Sequence, residues 1–440
     1  MKTWKKVMLG LGTVTAGVAL LAGCGSNGST GESAAGGNSG KKGELVVWTF
    51  TDELSTMIND YYKPAHTDLG YDIKIVEIPS DQFETKLDPV LGTKDAPDVI
   101  ALESAFVKKY VESGMMADLG ALGGEEAAKD TYQYVKDVGT DKEGVLHALA
   151  WQAAPGGFYY RDTLAKDLLD IQDPAAAQAA MSDYDKFYDV AKEVKEKSNG
   201  DVYMISSVQD LAKPFFGMRE HGWVEDNKLV IDDKLDELLE ISKKFVGEKL
   251  TQDTEGQSEA WFAGMNSDAV FGYSLPTWGL HYWLKPNAKA ADGSKSTEGD
   301  WRMIQGPSSW FWGGTWVGAT ETSNMKEEAA DLINYITTDP EFLKKWAEDT
   351  GDFVSNEKVV DEIKGSYNEE FLGGQNHYNE FSEMVQNINA KILTEYDQTI
   401  EKLFIDNCLT PYSKGEVDKD TAIQNFKDAV VNAYPDVQAG

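Results

Sequence analysis

Apolar and polar positions alternate in blocks along the chain. ELVVWTF (44–50) and YDIKIVEIP (71–79) read as strands flanking a helical stretch at 52–62, and APDVIAL (96–102) reads as a third strand followed by helix at 105–113. Strand, helix and strand at this spacing predict a parallel α/β sheet with right-handed crossovers. The alternation resumes with helices at about 183–198, 233–246, 325–337 and 340–349, while 173–181 and 291–300 read as surface loops or short helices. No internal repeat interrupts it.

The first 43 residues follow another pattern. Lys2, Lys5 and Lys6 precede an apolar run too short for a stop-transfer helix, and LAGC sets small residues immediately before Cys24, as in a cleaved signal peptide. The spacing resembles the bacterial lipoprotein signal, which implies a mature N-terminus at Cys24 bearing acyl chains; two or more such chains hold a protein stably on a membrane. The alternative is an ordinary secretory signal with an incidental cysteine. Residues 25–43 are mostly Gly, Ser, Asn and Ala, a flexible tether spanning roughly 25 Å on average. The expected segments are therefore a signal peptide at 1–23, a lipidated cysteine and linker at 24–43, and a folded part from 44 onward.

Composition changes the picture in three ways. About 400 residues after the tether suffice for two or three domain-sized cores. Removing residues 1–23 takes away three lysines and no acid, leaving 38 basic against 74 acidic side chains, a charge of −36. Such a chain is repelled by nucleic acid and by anionic headgroups, so neither is an expected partner, and the lipid anchor is the only expected hold on a membrane. Third, the only arginines are Arg161, Arg219 and Arg302. Arginine is the favoured fork for carboxylate and phosphate, so an anionic ligand is disfavoured. With Cys24 lipidated, Cys408 stands alone, a small buried hydrophobe or a reactive thiol.

Four segments in order carry a resemblance. APDVIALESAFVKKYVESGMMADL (96–119), GVLHALAWQAAPGGFYYRDTL (144–164), AWFAGMNSDAVFGY (260–273) and TWVGATETSNMKEEAADLINYITTDPEFLKKWAEDTGDFVSN (315–356) resemble the extracellular solute-binding proteins of ABC importers, specifically the sugar-binding family that includes maltose-binding protein. The resemblance covers 44–440, with two departures: Arg161 replaces an asparagine, and Asp352-Phe353 replaces a proline. It implies an α/β fold of two lobes, each a mostly parallel sheet flanked by helices, with the ligand cleft between them. Lobe 1 is expected at 44–149 plus 316–366 and lobe 2 at 150–315 plus 367–440, with crossings near Ala150, Trp316 and Ser366. The implied function is capture of a solute at the outer face of a Gram-positive-type cytoplasmic membrane and delivery to an ABC transporter permease. The protein is expected to be a monomer.

The residues themselves point to a sugar. Trp48, Trp151, Trp223, Trp261, Trp278, Trp283, Trp301, Trp310, Trp312 and Trp316 are an excess of wide aromatic planes, and a pyranose offers flat C–H faces with a rim of hydroxyls. Trp261, Trp283, Trp301 and Trp346 are expected in the core. Trp151, at a strand end, and Trp278, in SLPTWG, are expected at the ligand; Trp310, Trp312 and Trp316 lie among glycines and serines, and at least one should face the cleft. Ligands of open α/β sheets bind beyond the carboxyl ends of strands. Asp52 and Glu53 follow the first strand, Glu103 and Ser104 the third, and Gln152 the crossover strand; Tyr273 closes the 260–273 segment and completes the candidates. For Asp52 a helix N-cap is the competing role.

A surface-anchored glycan hydrolase is the competing function, and a binding protein for a non-sugar solute is another. The chain has no HExxH, GxSxG or P-loop, and His66, His147, His221, His281 and His377 lack metal-ligand spacing. A neutral oligosaccharide, no cofactor, no metal and no catalysis are the expectations.

Overall fold

The computed structural model describes residues 43–439. Cys24 and the signal segment lie outside the described residues. Among the described residues eleven strands run in chain order: β1 (Glu44–Thr49), β2 (Asp72–Glu77), β3 (Val99–Glu103), β4 (Ala148–Ala150), β5 (Pro155–Arg161), β6 (Val224–Glu225), β7 (Lys228–Leu229), β8 (Gly272–Pro276), β9 (Trp301–Ile304), β10 (Trp310–Phe311) and β11 (Thr315–Ala319).

The first sheet has the order β2-β1-β3-β11-β4. β1 pairs in parallel with β2 and β3, as the strand–helix–strand spacing predicts, and β11 returns antiparallel between β3 and β4. Burial follows position. In β1 Leu45, Val47 and Thr49 turn inward, whereas the inner strand β11 is buried along its whole length because helices or loops cover both faces.

Helices form where apolar spacing and caps agree. Tyr184–Lys197 buries Phe187, Val190, Ala191 and Val194 on one stripe, and Asp183 caps it by accepting the Lys186 N–H at 2.9 Å. Pro340–Thr350 begins on a proline after Asp339, whose carboxylate accepts the Phe342 N–H at 2.8 Å. The segment 173–181 resolves as a helix at Pro174–Ala180, capped by Asp173.

The second sheet departs from the expectation of mostly parallel pairing. β5 is its centre, and its ladders with β8, β9 and β10 are all antiparallel. β5 enters this sheet from the first one, and the three strands beside it all run against it. Strand and helix spacing carries no record of the direction in which a strand enters a sheet. β6 and β7 form a separate short hairpin.

Three strands of chain lie side by side between the sheets. Residues 151–154 lead from β4 to β5 and residues 312–314 lead back from β10 to β11. Trp312 donates its N–H to the Ala154 carbonyl at 3.1 Å. On the other flank, Ala153 donates to Phe353 O and Ser355 donates to Trp151 O, each at 2.9 Å.

Candidate functional site

β1 ends at Thr49, and the chain turns into a helix at Asp52–Thr56. Thr51 is the N-cap: its hydroxyl oxygen accepts the Glu53 N–H at 3.2 Å and also meets Glu53 Oε2 at 3.2 Å. The capping role considered for Asp52 thus falls to Thr51, and Asp52 is exposed in the first turn. Glu53 is half-buried. Burial and then the neighbouring Asp352 charge push its carboxyl up to about 8, against the pull of the Tyr282 and Thr51 hydroxyls.

At the end of β3, Glu103 holds its own turn. Its Oε2 accepts the Ala105 N–H at 2.9 Å and its Oε1 the Ser104 hydroxyl at 2.8 Å. Ser104 in turn accepts the Gly313 N–H at 3.1 Å, tying β3 to the 312–314 link. Burial raises the Glu103 carboxyl, and the bonds from Ala105 and Ser104 and the charge of Lys213 oppose it. Glu103 therefore serves the backbone first, with one lone pair left on each oxygen.

Four of the aromatic candidates are core residues. Trp151 is fully buried with its indole N–H turned toward Asp352, because the 351–355 segment packs over the strand end where a cleft face was expected. Trp316 is fully buried and donates to Val135 O at 2.9 Å. Trp310 is buried, with its ring where a Cβ on Gly156 would stand, 2.3 Å from that ring. Tyr273 is fully buried and donates its hydroxyl to Trp261 O at 2.9 Å. Gln152 is buried in the link beside Val354. Glycine and serine neighbours suggested loops for Trp310 and Trp316, but the distant Gly156 and Gly217 make room for the first ring and the neighbouring Gly314 for the second.

Trp278 and Trp312 remain half-buried and come together with Trp283. Ring centroids lie 5.6 Å apart for Trp278–Trp312, 4.6 Å for Trp278–Trp283 and 5.2 Å for Trp283–Trp312, all edge to face. The Trp278 indole donates to Trp312 O at 2.6 Å. Gly313 permits this approach: its φ is +82°, and a Cβ there would stand 2.3 Å from Trp278 Nε1. Trp283 was expected in the core with Trp261, Trp301 and Trp346; those three are buried and Trp283 is not.

Beside Trp312, Lys213 places its ammonium 5.4 Å from the ring centroid and pairs with Glu401. Lys213, Arg219, Trp312 and Glu401 border Ser104 and Ala105 around a cavity of about 50 Å³. At about 15 Å³ per enclosed water that is room for roughly three waters, well short of a pyranose. Neither Lys213 nor Glu401 carried a sequence signal, since lone charges on helices usually face solvent.

Arg161 bonds Asp300 at 2.7 Å and Asp268 at 3.2 Å, Arg219 bonds Asp397 at 3.1 Å, and Arg302 meets Asp162 at 3.0 Å. All three arginines thus pair with carboxylates of the chain, while Arg219 Nη1 is buried without a hydrogen-bond partner among the described residues. No group of His, Cys, Asp and Glu among the described residues has the geometry to hold a metal ion.

The model of the bacterial extracellular solute-binding proteins matches residues 57–371. No curated protein matches the chain. Among solved structures, one titled extracellular solute-binding protein family 1 aligns with a TM-score of 0.76 at 19% identity, over 88% of this chain and 99% of that one. The sugar-binding protein MalE of Xanthomonas citri aligns at 0.72 with 14% identity, over 90% and 100%. An ABC transporter associated binding protein from B. animalis subsp. lactis, in complex with beta-1,6-galactobiose, aligns at 0.66 with 19% identity, over 89% and 97%.

Proposed function

The chain belongs to the bacterial extracellular solute-binding proteins, and from that premise we propose that it captures a neutral oligosaccharide between two lobes and hands it to the permease of an ABC transporter. The observation that carries the ligand class is the half-buried trio Trp278, Trp283 and Trp312, set beside polar strand ends while every arginine is bound inside the fold. Aromatic planes stack on pyranose C–H faces, and Asp52, Glu53 and Ser104 accept from or donate to the hydroxyl rim. Lobe 1 comprises 44–149 plus 316–366, and lobe 2 comprises 150–315 plus 367–440. The ligand favours closure through contacts made to both lobes at once, and closure is the state the permease reads. Cys24 carries the lipid that keeps a monomer at the outer face of the membrane. The cleft binds without catalysis.

Isothermal calorimetry with a panel of neutral oligosaccharides, sugar phosphates and uronic acid oligomers tests this. Binding is expected within the neutral set alone, with its chain length unchanged after incubation. Tight binding of a phosphate or uronate overturns the ligand class, and shortened products restore a hydrolase.

A further inference from the structure

The segment 277–287, which follows β8 of the second sheet, faces the helix after β1 of the first across a junction rich in acids. Glu53 and Asp52 come from that helix, and Asp352 from the turn after Pro340–Thr350. Asp352 is 8% exposed and accepts the Trp346 indole N–H at 3.2 Å. Behind it lie Tyr367 and Tyr378, the latter donating its hydroxyl to the Asp352 carbonyl. From the opposite side Tyr282, 54% exposed, directs its hydroxyl at the Glu53 carboxyl. Its neighbour His281 sits against Gly351, where an added Cβ would stand 3.0 Å from His281 Cε1. Lys285 is the one cation of the segment, and its ammonium is held by Glu369 at 2.8 Å, with His281 Nδ1 3.4 Å away. Among the described residues, Glu53 and Asp352 therefore share a junction in which neither is paired with a cation.

We propose that closing the two lobes is coupled to uptake of a proton by the Glu53 carboxyl, the group that meets Tyr282 across the junction beside Asp352. The inference rests on the two-lobe reading above but not on the identity of the solute. With the lobes apart, water reaches Glu53 and its carboxyl titrates in the ordinary range, near 4.5. With the lobes together it loses that water beside a second carboxylate, and burial holds it near 8. Between those values closure takes up a proton. The closed-to-open ratio then falls by up to about tenfold for each unit of rising pH, and levels off above 8. Tyr282 limits the shift by donating to the ionised form.

Small-angle scattering of the mature chain from pH 5 to 9, with no solute added, tests the coupling. The radius of gyration of the wild type should rise across this range, and Glu53→Gln, which cannot ionise, should stay compact throughout. Tyr282→Phe, a change at an exposed ring that leaves the fold intact, should move the transition to higher pH by removing the donor. A wild-type radius that does not respond to pH overturns the proposal. So does an identical pH response in Glu53→Gln; lobe motion then stands and the proton site falls. Failure of every oligosaccharide to bind would count against the proposed ligand alone, because the scattering experiment contains none.

Discussion

Trp278 donates its indole N–H to the carbonyl oxygen of Trp312 across 2.6 Å, so the ring that follows β8 is fastened to the link that leads back into the first sheet. This bond fixes the angle between two rings on separate stretches of chain. It spends the polar edge of Trp278 on the protein.

Replacing Trp278 or Trp312 by alanine should weaken oligosaccharide binding by about 1–3 kcal/mol with little change in melting temperature, as for an anchor residue at a half-open surface. Trp151→Ala and Trp316→Ala should instead cost about 3–5 kcal/mol of stability, because both rings are fully buried. Calorimetric titrations and melts on the four variants separate the two groups. A large loss of stability in all four, without loss of affinity, would place the trio in the core.

His377 gives the fold a weakness in acid. It is 2% exposed, packs edge-on against Tyr367 and Phe381, and burial followed by the charges of His281 and Lys285 holds its imidazole down at about 3. The unfolded chain takes up the proton first, near 6.5. Stability is therefore intact above that value and is lost as pH falls toward 3, by about 3 kcal/mol at pH 4 from this group. His377→Phe should flatten the decline. Urea melts at pH 7, 5.5 and 4 measure it, and an unchanged slope in the variant would clear His377.

Arg161 is 5% exposed and bound to Asp300, Asp268 and the Ser267 carbonyl. Arg161→Ala would leave the half-buried Asp300 with only its Thr163 donors and without its cation, and losing a charged hydrogen-bond partner at such a site costs about 1–3 kcal/mol. The loss should appear in thermal denaturation, with solute affinity at a permissive temperature unchanged. A fall in affinity without a fall in stability would move Arg161 into the binding site.

Cys408 is fully buried, and burial pushes its thiol up to about 12. Iodoacetamide at pH 8 should leave it unmodified in the folded protein and alkylate it in urea, as mass spectrometry of the mature chain would record. Rapid labelling without denaturant would contradict its burial.

The strand and helix order was legible because caps and apolar stripes are local: Asp183, Asp339 and the stripe from Phe187 to Val194 announce their helices without reference to the rest of the chain. The site was legible in part. Trp278 and Trp312 stand where a loop tryptophan was expected, whereas Trp151 and Trp316 looked equivalent in sequence and are core. What separates them is which distant segment packs over each ring, and no window of sequence contains that. Asp352 was visible only as half of a departure from a family pattern. Its importance comes from Glu53, 299 positions away in the chain, and from Tyr282 in the helical segment after β8. The antiparallel second sheet was missed for a similar reason, since direction belongs to the pair of strands and spacing to each strand singly.

The links at 151–154 and 312–314, bonded to each other through Trp312 and Ala154 and flanked by Phe353 and Ser355, form a narrow flat strap. A flat strap bends readily about the axis across its width and resists twist and sideways slip, because both would stretch its cross-bonds. In the two-lobe motion proposed above, such a strap favours one bending axis. One distance, between a label on each side, would then follow the trajectory, and substitutions in the strap should change how far the molecule swings without changing what it grips.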